Sequence, residues 1–221
     1  MAVITVFRQA GDGGRYISEN LAQALGYHLF DYRTAERILM QEGFAQAPKV
    51  FKSVTDLWDR FSRTGRERDE IHAMFRSLIL ATAHHGNVVM LGRGCFAALQ
   101  GLSDVLNVRL KAPLPLKIKR VMRARHMTHD EAAAFVVEKD ALVADFTRDS
   151  HGLSPDDLTY FDLVIDTGKV SRDSAVRILV EAVGALTGSS LKEPTAAELQ
   201  VDSVWEKDVS YEFERVARLR G

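Results

Sequence analysis

The chain has 221 residues, a net charge of -1 at pH 7, and 46% hydrophobic and 27% charged residues, which suits one α/β domain with a small appendage and enough length to bury a substantial core. The near-neutral balance gives no global electrostatic case for nucleic acid or a membrane surface, and the single cysteine, Cys95, excludes an intramolecular disulfide and leans towards a reducing compartment. No basic and apolar leader opens the sequence, and the longest apolar stretch, Leu78–Leu91, is broken by His84-His85-Gly86-Asn87, so the expectation is a soluble cytoplasmic protein.

Ile4, Val6 and Phe7 read as a short buried strand. Gly11-Asp12-Gly13-Gly14 follows as a loop that glycine makes easy, since such turns need a positive φ or a close backbone approach. A helix begins at Arg15, with Ile17, Leu21, Ala22 and Leu25 on one face and Gly26 at its C-cap. Strand, glycine loop and helix together aim free backbone N–H groups and a helix N-terminus at an anion. The usual phosphate-loop pattern is G-x-x-x-x-G-K-[ST]. With Gly13 as the second glycine, Arg8 occupies the first-glycine slot and Gly14 the lysine slot. With Gly14 as the second glycine, Arg15 replaces the lysine and Tyr16 the hydroxyl residue. Either way the Mg²⁺-binding hydroxyl is missing from its slot, and an ordinary tight turn is the competing reading.

Tyr27-His28-Leu29-Phe30 reads as a second strand ending at Asp31. A helix with Ala35, Ile38 and Leu39 then runs to near Gly43, with Arg33 and Arg37 one turn apart on it. Phe51, Val54, Leu57, Trp58 and Phe61 predict an amphipathic helix over 52–62. A charged break spans 63–69, and a long helix follows with Ile71, Met74, Phe75, Leu78 and Ile79 as its inner stripe. His84 and His85 close it near the negative end of the helix dipole and, without a partner at metal-ligand spacing, read as a helix end. Val88–Leu91 is the continuous apolar run of a central parallel strand. It ends in Gly92-Arg93-Gly94, and ligands bind at the carboxyl ends of such strands. Arg93 is placed there to fork onto a phosphate or carboxylate.

A short helix over 95–99 precedes a strand of Val105, Leu106, Val108 and Leu110. The next helix, from Leu116, has Ile118, Val121 and Met122 on its apolar face and Lys117, Lys119, Arg120, Arg123 and Arg125 on the others. Thr128 and Glu131 match a capping box that opens a helix to about Phe146. Residues 148–152 and 154–157 read as loop. Phe161–Asp166 is the last strand, and Ser171 caps a helix bearing Ala175, Ile178, Leu179, Ala182, Val183 and Leu186. After a linker, Trp205, Val209, Phe213, Val216 and Leu219 recur at helical spacing. This tail docks as a satellite helix in the simplest reading, and self-associates or contacts a partner in the other. The alternation of strands and helices calls for a mostly parallel sheet covered on both faces.

Four stretches, FRQAGDGGRYISENLAQALGYHLFDYR, VVMLGRG, RLKAPLPLKIKRVMRAR and YFDLVIDTGKVS, together resemble the cytidylate kinase-like family of P-loop nucleoside monophosphate kinases. The resemblance implies a three-layer α/β P-loop NTPase fold over residues 1–187, with helical insertions at the monophosphate site and a lid near 116–152. The linker and C-terminal amphipathic helix, 188–221, lie outside it. It implies transfer of the γ-phosphoryl group of ATP to a nucleoside monophosphate, CMP or dCMP, with nucleotides as partners and neither nucleic acid nor membrane. Mg²⁺ accompanies ATP, with no dedicated protein metal ligand identified.

On that reading Gly11, Asp12, Gly13 and Gly14 cradle the donor phosphates, and Arg15 supplies the charge that a lysine usually gives. Asp31, Arg37 and Arg93 serve the acceptor, and Arg120, Arg123 and Arg148 close over the transferring group. There are departures from the family pattern. Gly14-Arg15 is a feature of this branch but leaves the lysine's role unfilled. Gly94 stands where an acidic residue follows Gly-Arg. The lid's D-x-x-R pair is broken, with Val143 three residues after Asp140 and Arg148 the nearest arginine. Two alternatives therefore stay open: a catalytically impaired nucleotide-binding or regulatory protein, and a kinase of another small metabolite.

Overall fold

Five apolar-rich segments become strands: β1 (Val3–Phe7), β2 (His28–Phe30), β3 (Val88–Leu91), β4 (Val105–Lys111) and β5 (Leu163–Asp166). In the computed structural model they form one sheet, in the order β2-β3-β1-β4-β5, with every neighbouring pair parallel. Parallel neighbours need crossover segments, and helices supply them. These are α1 (Gly14–Leu25), α2 (Tyr32–Gln41), α3 (Arg66–His85), α4 (Cys95–Ala98), α5 (Leu114–Arg125), α6 (His129–His151) and α7 (Arg172–Thr187), with α8 (Ser203–Arg220) following the last strand. The structure describes residues 1–41, 66–92, 94–188 and 193–220; the predicted helix over 52–62 and the side chain of Arg93 lie outside them.

Strand alternation divides the core into two layers. Ile4, Val6, Val89, Leu91, Leu106, Val108 and Leu110 pack on Ile17 and Leu21 of α1 and on Leu179 and Val183 of α7. Val3, Val88 and Met90 face the other way, onto Ile38 of α2 and Phe75, Leu78 and Ile79 of α3. Burial on both faces explains why β3 reads as an unbroken apolar run and not as an alternating one. The result is the expected three-layer α/β P-loop fold. The α5–α6 pair stands beside this core with a small cluster of its own, Ile118, Val121, Ala132 and Val136. Among the described residues no helix is long and apolar enough to cross a membrane.

The tail helix α8 packs into the second layer. Val209 and Phe213 are buried beside Phe30, Ile38 and Phe75, and the Phe213 ring stacks on His28 at 4.3 Å. Burying two such side chains contributes about 2 kcal/mol each. Glu212, on the same face, is fully buried and pairs with Arg37 of α2 and with Arg215.

Several element boundaries differ from those the sequence predicts, three of them for a clear reason. Helix α3 starts at Arg66, inside the predicted charged break, because Arg and Glu are good helix formers whatever their polarity. Helix α6 runs past Phe146 to His151, where Gly152 at φ 68° caps it, so the segment at 148–151 is helix and not loop. Strand β5 begins at Leu163, two residues late, because Phe161 closes a 3₁₀ turn by donating its N–H to the Leu158 carbonyl (3.1 Å).

Candidate active site

The carboxyl ends of β1 and β3, the glycine loop, α5 and α6 enclose an open cleft of about 1390 Å³. Its floor is the loop between β1 and α1. Gly11 (φ 81°) and Gly13 (φ 91°) adopt left-handed backbone, which only glycine enters at little cost. Gly11 also lies against α5: a Cβ there would stand 2.5 Å from the Lys117 carbonyl oxygen. The loop is thus seated on the first turn of α5.

Asp12 turns its carboxylate into the loop. Its Oδ1 accepts the Gly14 N–H (2.8 Å) and its Oδ2 the Gln9 N–H (2.5 Å). The side chain is fully buried. That burial pushes its pKa up from 3.8 to about 6, against the pull of those two N–H groups and of the Arg8 and Lys117 charges. The loop carbonyls are held from outside. Arg120 Nη1 donates to the Gly11 and Asp12 carbonyls (3.2 and 3.3 Å) and to Thr167 Oγ (2.9 Å), while Nη2 donates to the Thr167 carbonyl (2.8 Å). Thr167 in turn donates its hydroxyl to the Asp12 carbonyl at 2.6 Å.

A second brace joins the loop to α5 and α6. Lys117, which the sequence places on an outer face of its helix, is only 5% exposed. Its Nζ pairs with Asp140 of α6 and donates to Gln9 Oε1 at 3.2 Å. Asp140 Oδ1 accepts the Ala10 N–H at 2.8 Å. Helix α5, helix α6 and the glycine loop therefore meet at one buried ion pair.

Several predicted site residues reach the cleft. Gly11, Asp12, Gly13, Gly14, Arg15, Asp31, Arg120 and Arg123 all line it. Arg15 spends part of its charge on Glu19 (2.8 Å) and faces Asp31 Oδ2 at 3.8 Å. Asp31 Oδ1 caps α2, accepting the N–H groups of Arg33 and Thr34 at 3.0 Å each. Its second oxygen faces the Arg15 guanidinium at 3.8 Å.

Two predicted residues are elsewhere. Arg37 is bound to Glu212 and Thr34 on the face covered by α8, and Arg148 pairs with Asp145 (2.6 Å) on an exposed face of α6. Neither lines the cleft. Helical spacing shows which residues share a turn but not which turn faces the cavity. Arg93 lies outside the described residues, although its neighbour Gly92 lines the cleft. Gly94 packs on the ring of His151, whose pKa burial lowers to about 4, with the Arg76 and His72 charges adding to the effect.

The structure adds three residues to the site: Arg8 lines the cleft, and Lys117 and Thr167 brace its floor. Arg8 had a sequence signal, since it stands in the first-glycine slot of the phosphate-loop pattern. Nothing in the local pattern marks Lys117 as buried.

The family model for the cytidylate kinase-like family matches residues 3–169. The chain belongs to the cytidylate kinase-like family. It is 26% identical over 193 residues to the cytidylate kinase of Methanopyrus kandleri, covering 83% of this chain and 94% of that protein. It is 29% identical over 183 residues to the cytidylate kinase of Pyrobaculum neutrophilum, covering 83% and 93%. Among solved structures, an uncharacterized protein from Eubacterium ventriosum superposes with a TM-score of 0.64 at 17% identity, covering 84% of this chain and 99% of that one. A shikimate kinase from Bacteroides thetaiotaomicron does so with a TM-score of 0.51 at 15% identity, covering 83% and 98%. These last two show the fold alone. As a cytidylate kinase-like protein the chain keeps the phosphate-loop architecture while changing the residues that usually furnish it.

The change extends to the metal. The slot of the hydroxyl residue that ligates Mg²⁺ in the usual loop holds Arg15 with Gly13 as the second glycine and Tyr16 with Gly14 as the second, and neither is the Ser or Thr of the pattern. Among the described residues no three His, Cys, Asp or Glu side chains gather to hold an ion. The donor set of the loop does not fit a protein-held Mg²⁺ in the usual place.

Proposed function

We propose that this chain transfers the γ-phosphoryl group of ATP to a nucleoside monophosphate, with CMP or dCMP as the acceptor. The observation that carries the reading is the cleft itself. A glycine loop at the carboxyl end of β1 and the N-terminus of α1 share one cavity with Arg8, Arg15, Arg120 and Arg123. Phosphoryl transfer asks the protein for little covalent chemistry. It asks for alignment of two nucleotides, exclusion of water and neutralisation of charge on the moving group.

The donor phosphates take the backbone N–H groups at the start of α1. Arg120 holds the loop carbonyls, so those N–H groups stay aimed inward while its own charge lies beneath the phosphates. Arg123 reaches from the lid towards the transferring group, and Asp31 orients the acceptor. Arg93 completes the acceptor side by its position after β3. Arg37 and Arg148 take no part in this scheme, since Glu212 and Asp145 hold them.

A second reading has its own support. The Asp12 carboxylate accepts the Gly14 N–H, a group a phosphate would otherwise receive. A loop filled by its own anion suits a nucleotide-binding or regulatory protein with impaired turnover. A kinase of another small metabolite shares the donor site and differs only in the acceptor. Calorimetric titration with ATP and CMP, followed by a coupled ADP-release assay, separates these readings. CMP-dependent ADP release is expected. Binding without turnover would favour the regulatory reading, and release driven only by a different acceptor would move the substrate.

A further inference from the structure

The lysine missing from the phosphate loop leaves a specific gap. In the usual pattern that lysine follows the second glycine and reaches the β- and γ-phosphates. With Gly13 as the second glycine, Gly14 stands in its slot and has no side chain. The residue whose side chain fills the space is Arg8, seven-residue-pattern partner of Gly14 at the first-glycine slot. A Cβ built on Gly14 would stand 2.6 Å from the Arg8 Cβ, 3.1 Å from Asp12 Oδ1 and 3.2 Å from the Arg8 Cδ, so Arg8 comes nearest. The Arg8 stem therefore passes directly over the position from which a lysine side chain would start.

The two slots have exchanged their contents. In the usual loop the first slot is glycine and the seventh carries a cation; in this chain the first carries the cation and the seventh is glycine. The exchange is sterically coupled, because the Arg8 stem and a side chain at 14 cannot share that space. Arg8 follows β1 directly, at the carboxyl edge of the sheet, and lines the cleft. Among the described residues no carboxylate or carbonyl takes a hydrogen bond from its guanidinium. Arg15, the other cation offered for the lysine's role, is held by Glu19 and faces Asp31.

We infer that Arg8 replaces the phosphate-loop lysine, delivering its charge to the β- and γ-phosphates from the opposite end of the loop. The inference rests on the proposed nucleotide site and names the residue that completes it. A planar guanidinium spans two phosphate oxygens where an ammonium contacts them as a point charge. A merely structural role for Arg8, as a counter-charge to the neighbouring Asp12, is the alternative to be separated.

The test uses the full chain and titration calorimetry with Mg-ATP and with AMP, which lacks the β- and γ-phosphates. Arg8→Ala is expected to weaken ATP binding about 10- to 150-fold, the range of a charge-assisted hydrogen bond, and to leave AMP binding unchanged. Gly14→Lys alone is expected to weaken ATP binding, because its Cβ is driven into the Arg8 stem. Arg8→Gly/Gly14→Lys restores G-x-x-x-x-G-K and is expected to recover most of the affinity that Arg8→Gly loses. A counter-charge role predicts no such rescue. Should Arg8→Ala fail to fold, Arg8→Gln keeps the stem over Gly14 and reads the same loss. Unchanged ATP affinity in Arg8→Ala or Arg8→Gln, or a double variant no better than Arg8→Gly, would overturn the assignment. A wild-type chain that binds no ATP would instead overturn the nucleotide reading on which it stands.

Discussion

Replacing Asp140 by alanine removes the carboxylate at the junction of α5, α6 and the glycine loop. Lys117 is 5% exposed, and Asp140 is its ionic partner; Gln9 Oε1 at 3.2 Å is a neutral second acceptor. Removing one member of a buried pair leaves the other charge without compensation, at a cost of about 3–5 kcal/mol. The same substitution frees the Ala10 N–H, which Asp140 accepts at 2.8 Å. Water has access to this side of the pair, since the Asp140 side chain is 16% exposed, so the lower end of the range applies. About 3 kcal/mol divided by a urea slope of about 3 kcal/mol/M, suited to a chain of this size, moves the unfolding midpoint down by about 1 M. Urea titration followed by circular dichroism measures it. The double variant Lys117→Met/Asp140→Leu removes both charges and is expected to be more stable than Asp140→Ala. A midpoint shift below about 0.3 M for Asp140→Ala would refute the account. So would a double variant that loses more than the single one, since the pair would then contribute by attraction and not by mutual neutralisation.

Two further outcomes are expected. Asp12 has a folded pKa of about 6 against an ordinary 3.8, so the native state binds its proton more tightly than the unfolded chain does. Its contribution is best below the ordinary value and is lost as pH rises to about 6, by about 3 kcal/mol in total. His151 acts the other way: its lowered folded pKa favours the neutral ring, and stability is lost as pH falls from 6.5 towards about 4. Asp12→Asn is therefore expected to gain stability relative to wild type as pH rises from 4 to 6. A wild-type-minus-variant difference that is flat with pH would refute the burial of an ionisable Asp12. Arg37→Met is expected to lower the unfolding midpoint, because fully buried Glu212 then loses its ion pair with Arg37, while the KM for the monophosphate stays unchanged. A rise in KM without loss of stability would return Arg37 to the acceptor site.

Much of this molecule is readable residue by residue. The apolar runs of β1, β3 and β4 and the capping residues Thr128 and Ser171 depend on side chains a few positions apart, and the structure shows them as the sequence predicts. The glycine loop is also local, since its left-handed backbone is a property of Gly11 and Gly13 themselves. Even the exchange between Arg8 and Gly14 is written in the spacing, although its meaning depends on the Arg8 stem lying over Gly14.

What the sequence by itself determined was the order of elements, the buried strands and the presence of a glycine loop after β1, because these follow from short-range periodicity and backbone preference. Only the tertiary structure decided which cations serve the cleft. Arg37 and Arg148 lie at promising positions on their helices, yet Glu212 and Asp145 claim them. Lys117 and Arg120 lie on the outer faces of a helix viewed alone, yet the glycine loop packs on those faces and makes one a buried brace and the other a clamp. A guanidinium's role is set by the nearest acceptor in space, and such acceptors lie as far as 175 residues away in the chain.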